Sequence, residues 1–233
     1  MTKLIFWDVD TLYDFMKSDG KLYVPGSEDI IAAVKALTDF AHANRIPIVA
    51  SADKHELTDV EISDTPDWKA TFPPHCMRGT AGQLKMEETQ LQNPLVIEPE
   101  LQDPAALAQR VLTHRGDFLL NKRAVDVFTN ANVPALLRAL EPQAIVLYGV
   151  ATDFCNRYAL EGLLRALPQV ELYLVIDAVR AIVPVEGERL IAGWKERGVR
   201  MVTVRQIVEQ GVLDKHLSGR TGGAGALIGR SGV

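Results

Sequence analysis

Short apolar runs alternate along the chain with segments in which apolar residues recur at helical spacing. The runs are rich in β-branched residues and short enough to be buried strands, at residues 3–9, 46–50, 118–120, 144–148, 170–177 and 199–202. Most of them are apolar on both faces, which is typical of a parallel sheet covered by helices on both sides. The pattern therefore predicts an α/β fold.

Helix signals lie between these runs. Ser27 precedes an apolar face at helical spacing, Asp103 and Pro104 form an N-cap followed by a first-turn proline, and Thr152 is a good N-cap. Residues 86–100 show no clear period and are predicted to be irregular or a hairpin. Helices are predicted after the three caps and at residues 132–140, 186–197 and 205–210.

The composition limits the kinds of protein that this chain can be. Its 233 residues are 47% hydrophobic, which is enough to bury one large core, so we expect a single domain over residues 1–217. Residues 218–233 are Gly-rich and poor in packing groups, and we expect a flexible tail there.

Charge and cysteine content exclude further classes. The net charge of -5 and the lack of a basic stripe argue against a nucleic-acid partner or an anionic membrane surface. The sequence has no apolar run of 18 residues and no signal-peptide pattern. Its two cysteines, Cys76 and Cys155, do not make a disulfide framework, so we expect a cytoplasmic protein.

Candidate catalytic residues follow four of the predicted strands. In an open parallel sheet the carboxyl ends of the strands gather at one edge, where such folds bind their ligands. Asp10, Asp53, Lys122 and Cys155 each follow a different predicted strand, so we expect them to meet although they are far apart in sequence. A carboxylate can take the proton of a thiol, and an ammonium can stabilise the resulting thiolate.

Cys155 is the candidate nucleophile. It lies in the first turn of a predicted helix, where the positive end of the helix dipole lowers the pKa of a thiol. A lone cysteine is more often a buried structural residue, and each acidic residue taken alone can be a solvated loop residue. The convergence of four strand ends favours the catalytic interpretation.

A candidate metal site lies after the second predicted strand. Asp53 and His55 are two residues apart and can point at one ion, and His75 follows two prolines that stiffen its approach. One carboxylate and two imidazoles suit a divalent transition metal with open positions for water or substrate, and we expect zinc. The alternative is a pair of surface histidines that only titrate. Asp64 and Asp67 can add a carboxylate, and nothing in the sequence selects between them.

The motifs around these residues resemble those of the isochorismatase-like cysteine hydrolases, and most closely those of the nicotinamidase branch. The catalytic Asp of that family is followed four residues later by Asp-Phe, as Asp10 is followed by Asp14 and Phe15. The nucleophile motif of the family, Gly-Val-x-Thr-Asp-x-Cys, matches residues 149–155.

Two further segments extend the resemblance. The metal segment of the family is similar to residues 53–55 and 72–82 of this chain. The catalytic Lys of the family lies six residues before a Phe, as Lys122 lies before Phe128. The match runs in the right order over roughly residues 3–205.

The resemblance implies a three-layer α/β/α sandwich with a central, mostly parallel six-stranded sheet, and it favours a homo-oligomer. It also implies a Cys-Asp-Lys triad in which Asp10 deprotonates Cys155 and Lys122 lowers the pKa of the thiol. The backbone N–H groups of Ala151 and Cys155 would hold the oxyanion. A cis peptide is implied between Val150 and Ala151.

The same resemblance implies hydrolysis of a small amide through a thioester, with nicotinamide and water giving nicotinate and ammonia. Residues Asp53, His55 and His75 would hold the metal, which in that branch binds the pyridine nitrogen. Phe15 and Phe128 are candidates for aromatic contacts with the substrate, with core packing as the alternative role.

Departures from the family pattern keep other functions open. Leu12 stands where the family often has Gln, Lys54 replaces the usual Trp of the metal segment, and the stretch 83–117 is longer than usual. An amidase acting on another small amide or carbamoyl compound without a metal is one alternative. A phosphatase of the haloacid dehalogenase type, with Asp8 as phosphoryl acceptor, and a non-catalytic interaction protein are the others.

Overall fold

The structure is a computed structural model, and it describes residues 3–217. These residues form one parallel sheet with helices on both of its faces. The predicted tail at 218–233 lies outside the described residues. The strands are β1 (Leu4–Val9), β2 (Ile48–Asp53), β3 (Leu95–Ile97), β4 (Phe118–Lys122), β5 (Ala144–Val150), β6 (Glu171–Arg180) and β7 (Arg200–Val202). Their order in the sheet is β3-β4-β2-β1-β5-β6-β7, and every neighbouring pair is parallel.

The sheet has seven strands rather than the expected six. The additional strand is β3, in the stretch that we predicted to be irregular or a hairpin, and its Leu95 pairs with Phe118 of β4. A three-residue strand at the edge of a sheet is too short to show a hydrophobic period, which is why the sequence pattern missed it.

Four strands reach further than their predicted ends. β2 continues to Asp53 and β5 through Gly149 to Val150, beyond residues 50 and 148. β4 and β6 likewise pass residues 120 and 177 and end at Lys122 and Arg180. Asp53 therefore belongs to the sheet itself, where its backbone is fixed by pairing with Lys122 of β4.

The helices begin and end close to the predicted positions. Asp103 caps α3 as predicted, accepting from the backbone N–H groups of Ala105 and Ala106. Thr152 is not the N-cap of the helix that follows β5, because that helix begins at Cys155 and its N-cap residue is Phe154. The helices are α1 (Tyr13–Met16), α2 (Ile31–Ala43), α3 (Pro104–Thr113), α4 (Val133–Leu140), α5 (Cys155–Ala166), α6 (Pro184–Glu196), α7 (Val204–Val208) and α8 (Asp214–Leu217), with 3-10 turns at Ser27–Ile30, Ala81–Gln83, Glu87–Thr89 and Val127–Thr129.

The helices form two layers around the sheet, which confirms the expected α/β/α sandwich. Apolar residues of α2 and α7 pack on one face of the sheet, against Phe6 of β1. Those of α3, α4, α5 and α6 pack on the other face, against Ile5 and Trp7. Within residues 3–217, no helix combines the length and the apolar character that a membrane span requires.

Gly149 lets β5 pass close to β1. It has φ 113°, and a Cβ built on it would lie 2.1 Å from the carbonyl oxygen of Val9. A side chain at this position would push apart the two central strands, at the edge where Asp10 leaves β1.

We predict that Gly149→Ala lowers the free energy of unfolding by about 3 kcal/mol or more. The added methyl group would clash with the backbone of β1, and alanine is strained at this positive φ. Urea denaturation measures the change. Gly193→Ala is the matched control, since the space around Gly193 in α6 is open. It should stabilise the helix by roughly 0.5–1 kcal/mol, and equal effects of the two substitutions would contradict the close approach.

Candidate active site

Strand ends and one helix start place the four expected side chains together. Asp10 follows the last residue of β1 and takes a left-handed conformation with φ 48°. The register of β2 and β4 sets Asp53 opposite Lys122, and Cys155 is the first residue of α5. The sheet therefore fixes the backbone of Asp53 and Lys122 directly, and it fixes Asp10 through the adjacent end of β1.

The Lys122 ammonium is the centre of this group. Its Nζ lies 3.0 Å from Asp10 Oδ2 and 3.7 Å from Cys155 Sγ, and it donates a hydrogen bond to Asp53 Oδ1. Asp10 and Lys122 are fully buried, so the cation and the carboxylates compensate one another away from water. Ser51 Oγ also donates to Asp10 Oδ1 over 2.6 Å, which leaves the other carboxylate oxygen of Asp10 toward the lysine.

The two carboxylates are tuned in opposite directions. Burial raises the pKa of Asp10, although Lys122 opposes the shift. Burial also disfavours the charge of Asp53, but Lys122 and the neighbouring imidazoles of His55 and His75 outweigh it and hold the pKa of Asp53 well below its ordinary value. Asp53 is therefore the permanent anion of the pair, and Asp10 is the group better suited to exchange a proton.

The thiol does not behave as the helix position predicted. Burial raises the pKa of Cys155 well above its usual range, with Lys122 opposing and the charges of Asp10 and Asp53 adding to the rise. Lys122 does lower the pKa of this thiol, as expected, but its pKa in the resting site does not fall below its ordinary value, because desolvation and two nearby anions outweigh one cation. Cys155 is a neutral thiol at rest and requires a base.

Asp53, His55 and His75 form a group that can hold a metal ion. One ligand atom of each lies within 4.8 Å of the others. The Nε2 atoms of His55 and His75 each lie 3.8 Å from one oxygen of Asp53. His55 Nε2 is buried and has no hydrogen-bond partner among the described residues, and a metal ion would satisfy such an atom. One carboxylate and two imidazoles are a donor set that transition metals prefer.

Contacts behind the metal-binding group orient its imidazoles. His55 Nδ1 lies 3.2 Å from Asp59 Oδ2, and His75 Nδ1 lies 2.8 Å from the carbonyl oxygen of Pro73. These contacts direct both Nε2 atoms toward Asp53, as outer-shell partners of metal ligands do. Asp64 and Asp67 are not part of the group.

Asp14 anchors the loop that carries His75. Its Oδ2 accepts from the backbone N–H of Cys76 over 2.7 Å, and its Oδ1 accepts from the backbone N–H of Lys21 over 3.0 Å. Asp14, the acidic residue of the Asp-Phe motif, therefore has a structural role. It ties the segment after β1 to the loop that carries His75.

A pocket of about 400 Å³, counting its open mouth, lies beside these groups. The rings of Phe72 and Phe154 meet edge-to-face with centroids 5.7 Å apart, and Phe15 lies 5.5 Å from the His75 ring. Ala151, which follows the cis Val150–Ala151 peptide, also lines the pocket. The full lining is Phe15, Leu22, Val24, Asp53, Glu61, Phe72, His75, Val125, Val150, Ala151, Phe154, Cys155 and Ile182.

The structure separates the two predicted aromatic contacts. Phe15 lines the pocket, but Phe128 does not, and its ring packs against Gly162 of α5. The expected substrate contact of Phe128 is therefore corrected to core packing, because its ring packs against the apolar side chains of the α3–α6 face of the sheet.

Sequence reasoning missed several residues of the site. Ser51, two residues before the end of β2, donates a hydrogen bond to Asp10. Glu61 lines the pocket, and burial raises its pKa. Phe72 and Phe154 were named only as parts of motifs. Their proximity to recognised site residues was the available signal, but nothing in the spacing showed which way each side chain points.

Asp8 is engaged elsewhere. It is fully buried, and it accepts from Lys85 Nζ over 2.8 Å and from Thr11 Oγ1 over 2.9 Å. It does not line the pocket. This engagement argues against Asp8 as a phosphoryl acceptor.

Comparison with known proteins identifies relatives of this chain. A family model described as "Isochorismatase domain" matches residues 2–206. A nicotinamidase/pyrazinamidase of Mycobacterium tuberculosis (strain ATCC 25618 / H37Rv) is 27% identical over 161 residues, which are 67% of this chain and 76% of that protein.

Solved structures share the fold. Pyrazinamidase of Pyrococcus horikoshii in complex with zinc has a TM-score of 0.66 and 23% identity, over 86% of this chain and 99% of that chain. N-carbamoylsarcosine amidase from Thermoplasma acidophilum has a TM-score of 0.65 and 21% identity, over 87% of this chain and 97% of that chain. At these identities the two structures establish the architecture alone.

We predict that Lys122→Met lowers the free energy of unfolding by about 3–5 kcal/mol at neutral pH, because it leaves two buried carboxylates without their cation. Lys122 holds the pKa of Asp53 below its ordinary 3.8, so this stabilisation is present above that pH and is lost as the pH falls below it. Urea denaturation of both proteins between pH 7 and pH 3 should show the difference shrinking.

Lys35→Met is the matched control for this substitution, since Lys35 pairs with Asp39 on an exposed helix surface. Its loss should stay below about 0.5 kcal/mol. A comparably small loss for Lys122→Met would contradict the central role of the buried ammonium.

Proposed function

The chain belongs to the isochorismatase domain family, and within it we propose a cysteine amidohydrolase that converts nicotinamide and water into nicotinate and ammonia. The observation that carries the proposal is the contact of Lys122 with both Asp10 and Cys155 beside an aromatic pocket. The nicotinamidase/pyrazinamidase relative and the pyrazinamidase fold neighbour support the choice of substrate.

In the first half of the proposed reaction, Asp10 accepts the thiol proton as Cys155 Sγ attacks the carbonyl carbon of the amide. The raised pKa of the Asp10 carboxyl favours its action as a base toward a thiol that is neutral at rest. Lys122 stabilises the developing thiolate, and the backbone N–H groups of Ala151 and Cys155 hold the oxyanion. Asp10 then gives its proton to the amide nitrogen, the C–N bond breaks, and ammonia leaves.

In the second half, water attacks the thioester carbon and Asp10 accepts a proton from it. The C–S bond breaks and Asp10 returns its proton to the sulfur, so that Asp10 and Cys155 regain their starting states. The product gives up its carboxyl proton to ammonia or to solvent and leaves as nicotinate. Lys122 remains protonated throughout, since the charges of Asp10 and Asp53 outweigh the effect of burial and raise its pKa well above the usual range.

Zinc is the metal that we propose for Asp53, His55 and His75, as in the pyrazinamidase neighbour. When bound, it would act as a Lewis acid that takes an aromatic nitrogen as ligand and orients the ring. The walls of the substrate pocket are formed by residues of this chain. Among them, the rings of Phe15, Phe72 and Phe154 suit a flat aromatic substrate.

A second candidate is a metal-independent amidase acting on another small amide or a carbamoyl compound. The fold likeness to N-carbamoylsarcosine amidase favours this candidate, and it uses the same three catalytic residues. Metal dependence distinguishes the two.

We predict that Cys155→Ala abolishes ammonia release from nicotinamide while leaving the thermal unfolding temperature within a few degrees of the parent. Removing a catalytic nucleophile typically costs several orders of magnitude in kcat. Cys76→Ala is the matched control, because the Cys76 thiol is buried and does not line the pocket. It should retain turnover, and unchanged turnover of Cys155→Ala would remove the thiol mechanism.

We predict about one zinc ion per chain in protein purified without chelator, and close to none in His55→Ala, by elemental analysis. Nicotinamide kcat/KM should fall roughly 100-fold or more on ligand loss. His114→Ala is the control, since His114 binds the Asp117 carbonyl at the other edge of the sheet. Full nicotinamide turnover by ion-free protein would reject the metal role and favour the second candidate.

A further inference from the structure

Asn156 is a fully buried amide beside the proposed nucleophile. It is the second residue of α5, directly after Cys155. Its Nδ2 donates a hydrogen bond to the carbonyl oxygen of Gly149 over 2.8 Å. Its Oδ1 is buried and has no hydrogen-bond partner among residues 3–217. A buried oxygen without a donor lowers the stability of a fold, so stability alone does not explain an amide at this position.

The backbone of Asn156 holds the same turn at a second point. Its N–H donates to the carbonyl oxygen of Ala151 over 3.0 Å. The carbonyls of Gly149 and Ala151 belong to the two peptide groups on either side of the one that contains the Ala151 N–H. One residue therefore restrains both peptide groups that flank this donor, and with them the direction in which the donor points.

The turn leaves backbone donors for a ligand. The N–H groups of Thr152, Phe154 and Asn156 donate to backbone carbonyl oxygens. Those of Ala151 and Cys155 donate to no group of residues 3–217, and both residues line the pocket. They are the two donors that the proposed mechanism assigns to the oxyanion. Such donors stabilise a developing charge only when they are oriented before the reaction begins, so what holds the turn bears on the rate.

We propose that Asn156 is a positioning residue that orients the Ala151 N–H toward the oxyanion of the reaction. Asn156 does not line the pocket, so it acts through the Gly149 and Ala151 carbonyls and not by touching the substrate. This inference rests on the proposed function, because it takes Cys155 to attack a carbonyl carbon. The oxyanion exists only after that attack, so Asn156 should affect kcat and leave binding of the intact amide unchanged.

Asn156→Leu removes the amide donor and the unpaired oxygen together and keeps a similar side-chain shape. We expect kcat for nicotinamide to fall roughly tenfold to 100-fold, with KM within a factor of about two, since complete loss of one oxyanion donor costs about 100- to 1000-fold. The melting temperature should stay within a few degrees of the parent, because the lost hydrogen bond and the relief of the unpaired oxygen offset each other. Asn156→Ala is a second variant with the same expectation.

Pyridine-3-carbaldehyde, the aldehyde analogue of nicotinamide, tests the oxyanion directly. Cys155 Sγ adds to the aldehyde carbon, the π electrons of the carbonyl move to its oxygen, and the thiol proton passes to Asp10. The adduct has no leaving group and keeps its oxygen at the same donors. Its dissociation constant, measured by calorimetry, should rise in Asn156→Leu by about the factor by which kcat falls. The dissociation constant of nicotinamide, measured on Cys155→Ala protein, should not change when Asn156→Leu is added.

Asn44→Leu is the matched control for these substitutions. The Asn44 Nδ2 also donates to a backbone carbonyl over 2.8 Å, that of Phe40 at the end of α2, and Asn44 does not line the pocket. It removes the same kind of hydrogen bond far from the nucleophile turn. It should leave kcat, KM and the affinity for the aldehyde unchanged.

Several results would overturn the role of Asn156 alone. They are an aldehyde adduct as tight in Asn156→Leu as in the parent, equal weakening of the aldehyde and of nicotinamide, and failure of both Asn156 variants to fold. If the parent forms the adduct but releases no ammonia from nicotinamide, only the choice of substrate fails, and the aldehyde comparison still decides the role of Asn156. If the parent forms no adduct, the thiol mechanism and the role of Asn156 fail together.

Discussion

The buried ammonium of Lys122 is the interaction on which the site depends. It is fully buried and lies within reach of Asp10, Asp53 and Cys155. Two buried carboxylates so close together repel each other and are poorly solvated, and the lysine compensates both effects at once. The same cation keeps Asp53 ionised while Asp10, which is also buried, is left closer to protonation. The single positive charge of Lys122 therefore keeps Asp53 permanently ionised and leaves Asp10 able to exchange a proton.

The parallel sheet makes this arrangement possible. Lys122 faces Asp53 because β2 and β4 are in register, and Ser51 reaches Asp10 because β1 and β2 pair Val9 with Ser51. β5 pairs with β1, and Gly149 lies close enough to Val9 for the two strands to end together. The turn before Cys155 therefore lies at the same carboxyl edge of the sheet. Positions fixed by backbone hydrogen bonds hold charged groups more accurately than loop positions do, which suits a buried charge cluster.

The long connection between β2 and β3 supplies Glu61, Phe72 and His75 to the wall of the pocket beside the cluster, and it also carries His55 of the metal-binding group. Asp14 ties this connection back to the segment after β1. Catalytic geometry therefore comes from the sheet, whereas ligand selection comes from a loop held by backbone contacts. This division is usual in α/β folds, because loops can change without disturbing the core.

The α/β class, six of the seven strands and the polar residues that meet at the strand ends could all be predicted from the sequence. They follow from local hydrophobic pattern and from the geometry that any parallel sheet imposes. The packed fold was needed to show that Phe128 packs against α5 whereas Phe72 and Glu61 face the pocket, and that the Cys155 thiol is neutral at rest. Side-chain direction and pKa depend on neighbours distant in sequence, and burial at this site outweighed the local effect of the helix dipole.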